Sequence, residues 1–307
     1  MMEIQIKSYL DFIIIERKLY LCNTVVSNMS LATNLGKGVY KKIRQTIFNK
    51  YKKIGLSALQ VRRLKNLPGE GFHTTKFFDH FITFYYREEL LHGIEEIFIN
   101  EIYKMALPVR SSPVIIDCGA NIGLSVIYFK TQYPDCNLTA FEPDQKNYEL
   151  LLKNLSSMNL ENVVVRKEAV WIKNTTLNFN SEGTTASRIE EQDNGNTGNS
   201  TVQVKAVRLN DLIQSKVDLL KIDIEGAEYD VLKDIEDKLQ YINTLFLEYH
   251  GTFEQNTKLP EMLDILIRNN FQFYIKEAHN VYQQPFFDHK SRNKYDVQLN
   301  IFCFKAN

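Results

Sequence analysis

Cysteine is scarce. The 307 residues hold four, Cys22, Cys118, Cys136 and Cys303, and none forms a C-x-x-C pair. Their spacing suits neither a zinc site nor a disulfide framework, so a reducing, cytoplasmic setting is expected. Net charge is absent as well, because 37 Lys and Arg balance 37 Asp and Glu. That excludes the basic footprint of a general nucleic-acid binder. Long apolar runs are also lacking. Near the N-terminus there are only short ones such as FIII (12–15), broken by Glu16, Arg17 and Lys18. They are too short to span a membrane, and they lack the form of a signal peptide. No internal repeat is visible. Asn-x-Ser/Thr triplets, such as those at Asn137 and Asn174, are common by chance and carry no weight in a cytoplasmic chain.

What is present is 44% hydrophobic residues, enough for a sizeable core in one large domain or two modest ones. The N-terminal third is locally basic, at 40–55 and 61–65. This reads as a solvated helix face, with a docking surface for an anionic partner as the alternative.

Residues 1–108 show no alternating strand pattern. LYLCNTVVSNM (19–29), YKKIRQTIFNKYKKI (40–54) and EELLHGIEEIFINEIYKM (88–105) have roughly helical apolar spacing, which predicts a mainly helical N-terminal segment. LPGEGF (67–72) reads as a loop. FHTTKFFDHFITFYY (72–86) is densely aromatic, as core packing or as a wall over a substrate cleft. From Pro113 the pattern changes. PVIIDCGA is a short buried strand, NIGLSVIYFKTQY an amphipathic helix, and CNLTAFEP a second strand. DQKNYELLLKNLSSMN is a second helix with Asp144 as its N-cap. NVVVRKEAVW is a third strand. VDLLKIDIEG and NTLFLEYH add two more, around a helix starting near Ala227. The alternation predicts a parallel α/β sheet with helices on both faces. FQFYIKE and VQLNIFCFKA read as an antiparallel hairpin on the sheet edge. TLNF and TVQVKAV flank a polar Gly- and Asn-rich loop at 190–200 and could pair as a hairpin.

The first strand runs into Asp117-Cys-Gly119-Ala-Asn121-Ile-Gly123. Two glycines at a strand-to-helix turn let backbone approach a ligand closely, although this is not the full G-x-G-x-x-G of a pyrophosphate binder. Glu142 ends the second strand, where an acid accepts hydrogen bonds from ribose hydroxyls. Glu168 ends the third and would flank an adenine, with a solvated turn charge as the alternative. Asp223 ends the fourth. All these ends lie on the carboxyl edge, where open α/β sheets bind ligands. There Asp223, Glu225 and Glu228 crowd around Gly226, an arrangement that a purely structural turn does not need.

IIDCGANIGLSVIYF, AFEPDQKNYELLLKNL and DLLKIDIEGAEYDVL, in that order, resemble the FkbM-type S-adenosylmethionine-dependent methyltransferases of the class I, Rossmann-like group. The likeness covers about residues 95–250, and KIDIEGAE is its most specific part. It implies a seven-stranded sheet whose last strand is inserted antiparallel, in agreement with the C-terminal hairpin. It implies S-adenosylmethionine as cofactor, with Asp117, Gly119, Asn121 and Gly123 along the methionine part, Glu142 at the ribose and Glu168 near the adenine. It implies methylation of a hydroxyl on a small-molecule or glycan acceptor: a sugar, a lipid-linked sugar or a secondary metabolite. The division that follows is a lid or acceptor-binding segment at 1–95 and a cofactor-binding methyltransferase domain at 96–307. Oligomeric state is not legible.

Methylating an alcohol needs help with its proton. One reading makes Asp223, Glu225 or His250 the general base. The other has Asp223 and Glu248, on adjacent strand ends, hold a Mg²⁺. Rival functions are an NAD(P)-dependent oxidoreductase on a similar sheet and an inactive cofactor-binding protein.

Overall fold

Short apolar runs separated by helices commit the chain to a layered α/β fold. A computed structural model describes residues 49–106, 112–180, 189–190, 201–287 and 294–305. The helical reading at 19–29, Cys22, the FIII run and most of the 190–200 loop lie outside them. The chain divides into two units, Met1–Arg63 and Leu64–Asn307. In the first, Asn49 caps a 3₁₀ turn, Lys50–Ile54, that closes on left-handed Gly55. Helix α1 (Ala58–Lys65) begins there and ends just inside the second unit.

The second unit is built on seven strands. β3 (Val114–Cys118), β4 (Asn137–Phe141), β5 (Val163–Arg166), β10 (Val217–Ile222) and β11 (Ile242–Gly251) run parallel. β13 (Val297–Lys305) is inserted antiparallel between β11 and β12 (Phe271–Glu277), giving the order β12-β13-β11-β10-β3-β4-β5. This is the sheet the sequence predicts, C-terminal hairpin included. Among its helices are α3 (Leu124–Gln132), α4 (Gln145–Ser157), a short α5 (Leu209–Leu212), α6 (Glu228–Asp234) and α7 (Lys258–Arg268). Asp144 caps α4 as expected, accepting from the Asn147 amide at 2.9 Å. Among the described residues no helix is long and apolar enough to cross a membrane.

Three expectations are corrected. The run 162–171 is two strands: β5 stays in the main sheet, while β6 (Ala169–Trp171) joins β9 (Thr201–Arg208), β7 (Thr175–Asn180) and β8 (Ile189–Glu190) in a second sheet. Glu168 sits at that switch, so a charged, branching point replaces a continuous strand. β7 and β9 do pair antiparallel, as predicted. Helix α3 is not amphipathic, being buried from Leu124 through Lys130. Aromatic neighbours cover it, with Phe98–Tyr128 at 5.7 Å and Tyr103–Phe129 at 5.4 Å.

The third correction concerns residues 70–86, read without a strand pattern and in part as a loop. Helix α2 (Arg87–Gly93), continued by a π-helical stretch at Ile94–Ile99, follows an antiparallel hairpin of β1 (Glu70–Phe77) and β2 (His80–Tyr86). Apolar residues on both faces conceal its period of two: Phe77, Ile82 and Phe84 are fully buried, while Phe72 and Phe81 are exposed. The turn also lacks the usual signal, because Phe78 rather than Gly or Asn takes the left-handed position, at φ 52°. Phe77 and Phe84 therefore serve as core, while Phe72 and Phe81 face solvent.

One side chain ties this hairpin to the sheet domain. Asn154 of α4, fully buried, accepts from the Thr83 amide at 2.7 Å and donates to the carbonyls of Thr83 and Ile122 at 2.9 Å each. Asn154→Ala strips three bonds and leaves buried backbone groups unpaired. It should cost about 2–4 kcal/mol in urea denaturation, and a loss under about 0.5 kcal/mol would show that the hairpin is held otherwise.

Candidate active site

Two strand ends and the turn after one of them converge on one buried lysine. Lys221 pairs in register with Asp117 across β10 and β3, so their side chains share a face. Its ammonium lies 3.2 Å from Asp117 Oδ1 and 3.2 Å from Asp223 Oδ2, and it donates to the Gly119 carbonyl at 2.8 Å. Burial alone would lower its pKa, but Asp117 and Asp223 hold it well above the usual lysine value. Sequence reasoning assigned it no role. The available signal was a lysine between apolar residues in the middle of a buried strand, which requires a partner.

Asp117, expected along the cofactor, has no exposed surface. Its second oxygen accepts from Ser125 Oγ at 2.5 Å, so it braces the turn from behind. Gly119, Asn121 and Gly123 take left-handed φ values of 92°, 48° and 95°. A Cβ on Gly119 would stand 1.8 Å from the Asp223 carbonyl oxygen, and one on Gly123 would stand 2.5 Å from Leu151 Cδ1. Close approach of strand ends and of helix α4 thus demands these glycines, whatever the ligand needs. Glu142 accepts from the Asn121 amide at 2.7 Å and the Asp144 amide at 2.9 Å. Burial raises it to about 8 against the pull of those two bonds. Glu168 lies between Arg166 and Lys205, each at 2.5 Å, clamping the switch between sheets.

The acid loop after β10 is built around Glu228. Glu228 opens α6, yet only 1% of it is exposed. It accepts from the amides of Ile224 and Gly226 at 3.0–3.1 Å, and His250 Nδ1 lies 3.1 Å from its Oε1. It thereby holds Glu225 and Gly226 in left-handed geometry, at φ 57° and 103°. Tyr295 adds a hydrogen bond to the Glu225 carbonyl at 2.5 Å.

His250, one of the three candidate bases, packs against Glu228. Burial would lower its pKa, but the charge and hydrogen bond of Glu228, then Glu225 and Glu248, push it up to about 10. The Asp223–Glu248 pair read as a magnesium site is likewise met by protein cations, Lys221 at 3.2 Å and His250 Nε2 at 3.6 Å. Asp223, Glu225 and His250 do bring donor atoms within 4.8 Å of one another. Protein partners already engage part of that set, Glu228 at His250 Nδ1 and Lys221 at Asp223. Burial lifts Glu225 to about 7 and Glu248 to about 8.

These groups open onto one cleft of about 200 Å³, where Gly119, Asn121, Asp223, Glu225 and Glu248 meet Glu96 from the segment after α2. Gly123, Glu142 and Glu168 are not part of that lining, and Glu225 also borders a second cavity, with His250.

Two outcomes follow. Gly119→Ala should destabilise the fold, and not merely block a ligand, because its φ alone costs about 1–3 kcal/mol and the 1.8 Å approach is to backbone. Denaturation in urea reports it, and wild-type stability would remove the packing role. Stability should also fall as pH rises. Glu142, Glu225 and Glu248 have folded pKa values above 4.5, so their contribution is complete below that pH and lost by about 8. His250 adds a loss between 6.5 and about 10. Melting temperatures from pH 5 to 10 test this, and Glu248→Gln should flatten the lower window; a flat wild-type profile would contradict it.

Residues 117–273, just over half of the chain, match the family described as the methyltransferase FkbM domain. Methyltransferase 1 of Beauveria bassiana is 30% identical over 172 residues, covering 49% of this chain and 68% of that protein. The 31-O-demethyl-FK506 methyltransferase FkbM of Streptomyces tacrolimicus is 24% identical over 178 residues, covering 46% of this chain and 67% of that one. A crystal structure of methyltransferase FkbM from Methylobacillus flagellatus aligns with a TM-score of 0.42 at 18% identity, over 64% of this chain and 45% of that one. The oxidoreductase alternative falls with the family match. From the aspartate that opens the first motif to the edge strand β12, the chain belongs to the FkbM methyltransferase family.

Proposed function

We propose that the chain is an S-adenosylmethionine-dependent O-methyltransferase acting on a hydroxyl of a small-molecule or glycan acceptor. The observation that carries this reading is the acid wall of the cleft beside the Gly119 turn, where Glu96, Asp223, Glu225 and Glu248 gather. Burial disfavours charge on Glu96, Glu225 and Glu248. A cationic ligand relieves that penalty, and the cofactor is a sulfonium carrying an ammonium. The donor set therefore fits the cofactor. When bound, it supplies an electrophilic methyl group.

The remaining work falls to the chain. Glu142, oriented by two backbone amides, keeps lone pairs for the ribose hydroxyls. The Gly119–Gly123 turn backs the methionine part. Glu168 keeps its place at the adenine end as part of this reading. Glu225, held near 7, is matched to take the acceptor's proton at neutral pH. Lys221 fixes Asp223 at the cleft, and His250 holds Glu228 and Glu248 as a cation. An acidic wall disfavours an anionic acceptor, because like charge would have to be desolvated against like. Glu89, His92 and Gly93 also line the cleft, which supports an acceptor-binding role for the segment before 96. A cytoplasmic setting remains the reading of the cysteine content.

Glu142→Ala should weaken cofactor binding by roughly 1.5–3 kcal/mol in calorimetry. Glu225→Gln should lower kcat by about 10²–10⁴, well beyond any loss of cofactor affinity from thinning the acid wall. Turnover is followed as S-adenosylhomocysteine release against a panel of hydroxylated acceptors, and EDTA should not change it. Undiminished turnover of Glu225→Gln would dismiss this base, and inhibition by EDTA reversed by Mg²⁺ would reinstate the metal reading.

A further inference from the structure

Charge is spread unevenly along this chain. Residues 17–69 hold twelve Lys and Arg and no Asp or Glu, which leaves 25 cations against 37 acids in the rest. Soluble surfaces ordinarily intersperse both signs. A run of one sign repels itself and calls for an anion from outside.

The described part of this run shows how the charge is displayed. Lys50, Lys52 and Lys53 on the 3₁₀ turn and Arg62 and Arg63 on α1 are exposed, while Ile54, Leu56 and Val61 are buried. The cations stand on ordered backbone. Asn49 and left-handed Gly55 close the turn. A reciprocal cap starts α1: the Ser57 amide donates to Gln60 Oε1 at 2.9 Å, and the Gln60 amide donates to Ser57 Oγ at 3.3 Å. Leu59 precedes Arg62 by three residues and Arg63 by four, so the three share one helical face. Leu59 is 58% exposed. That face therefore offers an apolar side chain flanked by two guanidinium groups.

Nucleic acid and an anionic bilayer both answer a basic surface, and two observations favour the bilayer. A polyanion that had to reach the cleft would meet its acid wall of Glu96, Asp223, Glu225 and Glu248. The basic run thus suits a partner that is not the substrate. Leu59 also finds no partner among phosphates, whereas an apolar side chain between cations enters the boundary of headgroups and acyl chains. The sequence just upstream has the same composition, with Ile43, Ile47 and Phe48 among Lys41, Lys42 and Arg44.

We infer that the segment 50–63 docks on a bilayer surface rich in anionic phospholipid, with Lys52, Arg62 and Arg63 at the headgroup phosphates and Leu59 in the interfacial layer. This adds a location to the methyl-transfer reading and does not depend on it.

Vesicle sedimentation reads this without turnover. The full chain is mixed with vesicles of phosphatidylcholine alone, or of phosphatidylcholine with about one-third phosphatidylglycerol. It should pellet with the anionic vesicles only. Raising salt from about 0.1 M to about 1 M should release it, because the screening length falls from about 10 Å to about 3 Å. Each cation near an anionic surface contributes about fivefold in partitioning. Arg62→Gln combined with Arg63→Gln should therefore lower the partition coefficient about 25-fold. Lys52→Gln should lower it about fivefold, and covers the case in which the paired variant fails to fold. Leu59→Ser keeps every charge and should lower it about five- to tenfold. No pelleting with anionic vesicles, equal pelleting with both kinds, or wild-type partitioning of Lys52→Gln and Leu59→Ser would each overturn the docking surface. So would a labelled RNA duplex that strips the chain from vesicles and binds Leu59→Ser as tightly as wild type, which would make this a nucleic-acid face.

Discussion

A buried ammonium cannot stand alone in a protein interior, and the carboxyl edge of this sheet is organised around that constraint. Lys221 is nearly inaccessible, and taking its charge out of water is costly unless opposite charges and acceptors replace the lost hydration. Asp117, Asp223 and the Gly119 carbonyl do so from two adjacent strand ends and the turn that follows one of them. The same three contacts place the first turn against the end of β10 so closely that only glycine fits at 119. One ion-pair cluster thereby sets the floor of the cleft and the position of the carboxylate beside it.

A second network extends this order outward. Glu228 collects two amides of the loop after β10 and the imidazolium of His250, and His250 passes the interaction on to Glu248. The crowding of acids around Gly226 is thus resolved by a division of labour. Glu228 is structural and buried, Asp223 answers Lys221, and Glu225 remains at the border of two cavities with its carboxyl lifted toward neutrality by burial. Replacing Glu228 would leave buried amides and a buried cation unpaired, which is why its position inside the first turn of α6 matters more than any effect of the helix dipole.

Much of this was legible in one dimension. The strand–helix alternation from Pro113, the Asp144 cap, the antiparallel C-terminal strands and the β7–β9 pairing all follow from local periodicity and turn chemistry. Reading failed where two faces of an element were apolar at once. β1 and β2 carry aromatics inside and outside, and their turn uses Phe78 in a left-handed position, so neither the period nor the usual turn residue was available. Helix α3, expected to be amphipathic, hides even its polar residues: Ser125 donates to Asp117, and Lys130 donates to the carbonyls of Pro134 and Cys136.

By itself the sequence determined the order and type of the sheet elements, and it marked the carboxyl edge as the ligand-binding rim, because side-chain periodicity and strand-end residues act over a few neighbouring positions. Tertiary structure alone decided the state of each charge. Whether His250 accepts a proton or keeps one depends on Glu228, twenty-two residues away, and whether Asp117 meets a ligand or a lysine depends on a residue 104 positions on. Electrostatic energy depends on distance through space and on burial, and neither is written in the spacing of residues along a chain.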